Sequence, residues 1–280
     1  MSEHPYLRTH IGPELIRSSF RMYKDHLALF VLVTALPHAV LLAVSYAVTL
    51  GNPAVDAGAA GEGLSQNAGM SGTALALVSL SVFVEALRLS ALTLAMALSA
   101  LGPEPGVMHT YALLMRRGLV RPLGAYFAFT LLTTLGFMVP MPLIPLVGEA
   151  LGLLLSMIFG TLAGGLFCVV LPMVMVEGRP VFPALRRTQA LIRGELAKGM
   201  LAFSFFLLVA GFLPLLLLML QMGDTPGDMG PLTPVLVMLL GSTVLPLGYG
   251  GIMALYFSLR AKEGATPEQL CKEMGLEASA

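Results

Sequence analysis

The sequence predicts an all-α fold: a polytopic membrane protein whose bundle of six transmembrane helices carries interfacial amphipathic helices on its cytoplasmic side. Of the 280 residues, 56% are hydrophobic and only 11% are charged, whereas about a quarter of the residues in soluble domains are charged. Several apolar stretches are long enough to cross a hydrocarbon core, which takes about 20 helical residues. The net charge is zero, so no long-range field attracts nucleic acid, and we expect no nucleic-acid partner.

The apolar stretches also divide the chain into its expected parts. The six predicted spans lie near 27–50, 74–100, 123–145, 150–176, 199–221 and 232–258. The predicted domains are a cytoplasmic amphipathic arm, a six-span membrane domain and a cytoplasmic tail, at 1–26, 27–259 and 260–280. Five of the six spans contain no Asp, Glu, Lys or Arg, and the second is the exception.

The positive charges predict the orientation. Fifteen of the 16 Lys and Arg residues lie on one side of this layout: before span one, between spans two and three, between spans four and five, and after span six. The connections 51–73, 140–149 and 222–231 contain none. By the positive-inside rule, both termini are predicted to be cytoplasmic.

Three cytoplasmic segments, 13–27, 107–121 and 183–196, alternate apolar and basic residues at helical spacing. Such helices lie in the membrane interface with the basic side toward anionic headgroups; solvated juxtamembrane loops are the alternative. The residues predicted to contact headgroups or a partner are Arg17, Arg21, Lys24, Arg116, Arg117, Arg186, Arg187 and Arg193. The order interfacial helix, span, span occurs three times, which suggests a threefold helix-plus-hairpin repeat.

Small residues recur at every fourth position of the fourth span. The residues predicted to pack against another helix are Gly152, Ser156, Gly160 and Gly164. Helices in a bilayer associate by close backbone contact, which small residues at this spacing allow. A chance pattern in a chain with 30 glycines is the alternative. The pattern does not distinguish packing within the chain from packing against another copy.

Two opposite charges lie near the middle of the second span. A charge at this depth costs roughly 2.5–3.5 kcal/mol, and Glu85 and Arg88 at i, i+3 share a helix face on which they can neutralise each other. His38 lies near the middle of the first span. One hypothesis is that the three residues converge in a polar cavity, as a proton relay or an anion-binding site. The alternative is a neutralised pair that fixes helix register.

No catalytic pattern is visible in the chain. The sequence contains no HExxH, GxSxG or GxxxxGK[ST] motif and no His/Cys set at metal-binding spacing. The two cysteines, Cys168 in a span and Cys271 in the tail, lie on elements too different in depth to form a disulfide. We therefore expect no enzymatic activity, no metal and no cofactor.

Three short motifs are distributed along the chain: LIRSSFRMYK at 15–24, Glu177-Gly178 followed by ALRRT at 184–188 and LIRG at 191–194, and LYFSLRAKEG at 255–264. They resemble the membrane-domain family of glycerophosphoryl diester phosphodiesterases and its six-span bacterial inner-membrane relatives. The family usually has Asp where Ser258 stands. The resemblance implies a membrane module in the bacterial inner (cytoplasmic) membrane. It also implies no catalysis here, because in the enzyme fusions the phosphodiester chemistry belongs to a separate soluble domain.

These observations lead to two expectations about function. The first is a non-enzymatic membrane scaffold or a module that associates with membrane lipids, a protein partner or a second copy of the chain. The second is a small-solute or lipid permease that uses a mid-membrane polar cavity, because proline-kinked helices and repeats are features that transporters often combine. A scaffold should co-purify with a partner, whereas a permease should have a cavity and bind a small solute.

Overall fold

The computed structural model describes residues 6–10, 12–51, 72–102, 106–212 and 233–276. These residues form helices and no β-strand, which confirms the predicted fold class. The α-helices are α1 (Gly12–Asp25), α2 (Leu27–Gly51), α3 (Gly72–Leu101), α4 (Val107–Arg117), α5 (Val120–Met138), α6 (Ile144–Val147), α7 (Glu149–Phe167), α8 (Val170–Val176), α9 (Val181–Ile192), α10 (Leu196–Phe206), α11 (Thr233–Lys262) and α12 (Pro267–Glu273).

Five described stretches are long and apolar enough to cross a bilayer: Leu27–Val48, Leu75–Leu101, Val120–Val147, Glu149–Val176 and Val235–Lys262. They correspond to the predicted spans one to four and six. The predicted fifth span begins as α10, which continues as a π-helix over Leu207–Phe212; its remainder, 213–221, lies outside the described residues. Most of the predicted connections 51–73 and 222–231 also lie outside them.

The span after α6 is interrupted for a local chemical reason. Helix α7 ends at Phe167 and α8 begins at Val170. Proline lacks the backbone N–H that would bond to the carbonyl four residues earlier, and its ring crowds that carbonyl. Pro172 therefore leaves the Cys168 carbonyl without its helical partner, and the helix breaks at this point. The two helices together still form one candidate span.

The described helices follow a repeated order of one short amphipathic helix and two apolar spans. The units are α1 with α2 and α3, α4 with α5 and α7–α8, and α9 with α10 and α11. Each short helix packs against the second span of the preceding unit: α4 on α3, α9 on α8, and α1 on α11, which closes a ring. We call the end of the bundle that carries α1, α4, α9 and α12 the basic end. Which end faces the cytoplasm stays a prediction.

The core of the bundle lies near the basic end. Three uninterrupted buried runs, 88–98 in α3, 168–176 in and before α8, and 248–260 in α11, all belong to second spans. Outside this core the spans expose large apolar side chains such as Leu153 and Phe127, which is the surface that lipid tails require. The second spans are therefore buried along the part of their length that lies near the basic end.

The small residues of α7 pack within the chain. Gly152, Ser156, Gly160 and Gly164 are all buried. A Cβ atom added at the three glycines would overlap Ile144, Phe137 and Phe203, in that order. These neighbours belong to α6, α5 and α10, so the contact that the sequence left open is intramolecular.

Replacing Gly164 by leucine is expected to lower the free energy of unfolding by about 1–3 kcal/mol, because a side chain there must displace a packed aromatic ring. The ring belongs to Phe203, which is 1% exposed. Reversible unfolding in mixed detergent micelles measures the change. Gly194→Leu is the control, because a Cβ at Gly194 meets no atom within 4 Å. Equal stability losses in the two variants would contradict the packing described above.

Candidate functional site: a polar cavity at mid-depth

A cavity of about 360 Å³ lies between α3, α5, α10 and α11. This volume is at the lower end of the range for small-molecule pockets, about 300–1,000 Å³. The apolar part of its wall includes Phe129, Phe137, Phe203, Phe206, Leu207 and Leu245. The polar part is formed by Glu85, Arg88, Tyr126, Thr130, Thr133 and Thr134. The composition fits a ligand with an apolar body and a polar group.

The charged pair lies at the inner end of the cavity. On α5 the lining residues run from Tyr126 to Phe137, a rise of roughly 16 Å at 1.5 Å per residue. Helix α5 begins at the basic end, so this run leads away from that end. From Arg88 onward α3 enters the buried core. The cavity therefore extends from mid-depth toward the half of the bundle opposite the basic end.

Arg88 contacts both of the other polar residues that the sequence singled out, His38 and Glu85. Its Nη1 lies 2.6 Å from His38 Nδ1, and its Nη2 lies 3.2 Å from Glu85 Oε2. A guanidinium can only donate hydrogen bonds, so His38 Nδ1 must accept and the imidazole proton is on Nε2. In this arrangement His38 is neutral, and Glu85 and Arg88 carry opposite charges that cancel.

Two polar atoms at the site lack partners among the described residues. The Arg88 side chain is only 9% exposed, and neither Arg88 Nε nor Thr133 Oγ forms a hydrogen bond there. A buried polar group without a partner costs about 1–3 kcal/mol. A ligand with hydrogen-bond acceptors would supply partners for the guanidinium. The Glu85 side chain is 29% exposed, so such a ligand could replace it on Arg88.

The hydroxyl residues of α5 are the part of the site that sequence reasoning missed. Tyr126, Thr130, Thr133 and Thr134 line the cavity. A signal was present, because Thr130 lies four positions after Tyr126, and Thr133 and Thr134 lie three and four positions after Thr130, so the four residues share one face of the helix. Nothing in that pattern, however, indicates which neighbouring helix the face would meet.

The eight basic residues predicted to contact headgroups or a partner fall into two groups. Six are exposed at the basic end: Arg17, Arg21, Lys24, Arg116, Arg186 and Arg193. The other two bind acceptors within the chain. Arg117 donates to the carbonyls of Met175 and Glu273, and Arg187 forms ion pairs with Glu177 and Glu263.

Each of the helices α1, α4 and α9 also exposes a large apolar side chain. The exposed fractions are 50% for Phe20, 82% for Met108 and 80% for Phe182. In α9, by contrast, Ile192 is buried against the bundle. An exposed apolar side chain beside exposed arginines is the pattern of a helix that lies in the headgroup region.

A cluster of charges ties the connections together at the basic end. Glu177, whose side chain is 2% exposed, lies 2.6 Å from Arg179 Nε, 3.2 Å from Arg187 Nε and 3.5 Å from Arg260 Nε. Arg260 also binds both carboxylate oxygens of Glu273, at 2.8 and 2.9 Å, and Glu263 at 2.7 Å. We call these six residues the Glu177 cluster. It links the segment after α8 to α9, to the end of α11 and to α12.

The arm before α1 is held by a buried histidine. The His10 backbone N–H donates to Ser258 Oγ at 2.9 Å, so Ser258 anchors the arm. The His10 side chain is 0% exposed, with Nδ1 3.9 Å from Glu14 Oε2. Burial, followed by the charge of Arg8, lowers the pKa of His10 below its ordinary value near 6.5.

Acidification is expected to destabilise the arm through His10. In the unfolded chain this imidazole takes up a proton near pH 6.5, whereas in the folded chain it does so only at lower pH, so stability falls as the pH drops below about 6.5. The thermal unfolding midpoint should therefore fall between pH 8 and pH 5.5. His10→Phe should reduce that fall, and the exposed His109→Phe should not. The same fall in both variants would contradict the assignment.

We compared the chain with protein-family models, curated proteins and solved structures, and none of the three comparisons gives a match.

Proposed function

We propose that this membrane protein is a permease whose mid-depth cavity admits a small solute or a lipid. One observation carries the proposal: a buried, incompletely bonded Arg88 faces a cavity of about 360 Å³. A charge at this depth costs roughly 2.5–3.5 kcal/mol and is retained mainly where it has a function or a partner. Glu85 and His38 satisfy only part of the guanidinium.

The distribution of packing supports the same proposal. A carrier needs a central site that is reached from one side at a time. In the described chain the buried core lies near the basic end, and the cavity extends into the other half of the bundle. This layout fits a carrier in a state that is closed at the basic end.

Solute uptake by reconstituted protein tests the proposal. A thermal-stability screen of small solutes and lipids first selects a ligand, and uptake of that ligand into liposomes is then measured. Thr134→Trp fills the cavity and should lower the uptake rate at least tenfold. Phe127→Trp is the control, because Phe127 lies on the same helix but is 62% exposed on its outer surface. Uptake no faster than in empty liposomes for every ligand that stabilises the protein would overturn the proposal.

A lipid-associating scaffold is the second candidate, favoured by the exposed apolar and basic residues of α1, α4 and α9. Each exposed cation near an anionic membrane surface contributes about 1 kcal/mol to binding. Native mass spectrometry of gently extracted protein should then show bound anionic lipid. The triple variant Arg17→Gln, Arg116→Gln, Arg186→Gln should lose that lipid. Equal lipid retention in the variant would contradict this candidate.

A further inference from the structure

We propose that the ligand of the cavity is an oxyanion on an apolar body, and that it enters with one proton, which Glu85 takes up as the anion replaces it on Arg88. This inference rests on the proposed permease function and specifies its substrate class and its coupling. It uses the geometry of one buried guanidinium, the composition of the wall and the charge balance of the site.

The wall selects an anion with an apolar body. Among the described residues that line the cavity, Arg88 carries the one positive charge, and threonine hydroxyls nearby can donate further hydrogen bonds to oxygen atoms. The guanidinium fork matches the planar or tetrahedral oxygens of carboxylates, sulfonates and phosphates. The aromatic side chains that form much of the remaining wall leave an apolar environment for the body of the ligand.

Glu85 is held loosely enough to be exchanged. Charge-assisted hydrogen bonds between a guanidinium and a carboxylate are usually about 2.7–2.9 Å long, but the Glu85–Arg88 contact is 3.2 Å. The contact from Arg88 to His38 is shorter, at 2.6 Å. An incoming anion can therefore take the place of Glu85 on Nη2, while His38 keeps Nη1 in position.

The charge balance requires a proton. Before entry the charges of Glu85 and Arg88 cancel. An anion alone would leave one net negative charge at mid-depth, at a cost of roughly 2.5–3.5 kcal/mol. When a proton from water converts the displaced Glu85 carboxylate to a carboxyl group, the remaining charges, on Arg88 and the anion, cancel again. One anion and one proton therefore enter together.

The other groups that face the pair are poorer proton acceptors. His38 on α2 accepts a hydrogen bond from Arg88 at 2.6 Å, so protonating it would place two cations in contact. Tyr126 on α5 is a neutral phenol that would have to be ionised first. The lining residues of α10, its π-helical continuation and α11 are Phe203, Phe206, Leu207, Ala210, Gly211 and Leu245, none of which titrates. Glu85 is the remaining acceptor.

Proton-linked binding of benzenesulfonate tests the inference. This permanent anion has an apolar ring and can be added to the full-length protein in lipid nanodiscs. A pH indicator in weakly buffered solution should report about one proton taken up per anion bound. The Kd should rise tenfold per pH unit over the pH range in which Glu85 is ionised in the free protein and protonated in the complex. This slope is the signature of one linked proton. Neutral benzenesulfonamide should bind at least tenfold more weakly and move no proton.

Substitutions identify the residue that takes up the proton. Glu85→Gln should bind benzenesulfonate at least as tightly as wild type, without proton uptake and without pH dependence. Ser79→Ala is the control on the same helix, because Ser79 is exposed and lies outside the cavity wall. His38→Asn keeps a hydrogen-bond acceptor for Arg88, so this variant should still take up one proton when the anion binds. Loss of proton uptake in His38→Asn, or its retention in Glu85→Gln, would overturn the assignment to Glu85.

The outcomes separate this inference from the permease proposal. Benzenesulfonate bound without a proton, or no more tightly than benzenesulfonamide, overturns the inference even if solute uptake is observed. Proton-linked binding without uptake of any ligand supports the anion site and overturns the permease proposal. Raising the phosphatidylglycerol content of the nanodiscs distinguishes the sources of the anion, because competition with benzenesulfonate identifies a lipid phosphate and absence of competition identifies a free solute.

Discussion

Replacing Arg260 by methionine is expected to lower the free energy of unfolding by about 3–5 kcal/mol, because removing one partner of a buried ion pair leaves the other charge uncompensated. The Arg260 side chain is 5% exposed and contacts three carboxylates, those of Glu177, Glu263 and Glu273. Of these, Glu177 is buried, with a side chain that is 2% exposed. The variant leaves Glu177 and Glu263 with Arg179 and Arg187 alone, and it removes the cation that the Glu273 carboxylate contacts.

Lys262→Met is the matched control for this prediction. It removes the same charge two residues further along the same helix, but the Lys262 side chain is 61% exposed where it pairs with Glu195. Hydrogen bonds from Lys262 and Lys198 lower the pKa of Glu195, yet exposed pairs of this kind contribute about 0–1 kcal/mol. Reversible unfolding in mixed micelles measures both variants. A loss below about 1 kcal/mol for Arg260→Met would show that the Glu177 cluster does not hold the basic end together.

Replacing Arg88 by leucine is expected to lower the free energy of unfolding by about 3–5 kcal/mol. The variant leaves the Glu85 carboxylate without its counter-charge at mid-depth and His38 Nδ1 without its donor. Anion binding should be lost as well, because no other cation lines the described cavity wall.

A double-mutant cycle separates the ion pair from packing effects. Adding Glu85→Gln to Arg88→Leu removes the stranded charge, so the double variant should regain most of the lost stability without regaining anion binding. If the double variant is as unstable as Arg88→Leu alone, the loss comes from the shape of the leucine side chain and not from an unpaired carboxylate. Unfolding in mixed micelles and benzenesulfonate binding are the two measurements.

The fold was predictable because the bilayer imposes a simple pattern. Spans of about 20 apolar residues must be helical, since hydrocarbon offers no partner for backbone polar groups. The predicted spans that lie wholly or largely within the described residues are helices. Spacing alone also places Glu85 and Arg88 on one face of α3. The small residues of α7 predict close packing, but only the structure places Phe137 and Phe203 against them.

The Glu177 cluster was not predictable from the sequence. Its members are separated by up to 96 positions, from Glu177 to Glu273, and each lies in a segment that by itself is typical of a solvated connection. Pairing across such a distance depends on how the helices are arranged, and no local spacing reports it. For the same reason the sequence groups Arg117 and Arg187 with the exposed basic residues. In the structure Arg117 donates to the Met175 carbonyl and Arg187 pairs with Glu263.

The most direct test of the central claim is the rate at which a single cysteine in the cavity reacts with a membrane-impermeant thiol reagent. The background replaces Cys168 and Cys271 by alanine, and nanodiscs expose both membrane surfaces to the reagent. Thr134→Cys should react at least tenfold faster than Phe127→Cys on the outer surface of the same helix, since a thiolate forms readily only where water reaches. Benzenesulfonate should slow the reaction. Equal rates at the two positions, unaffected by the anion, would contradict a ligand-accessible cavity at mid-depth.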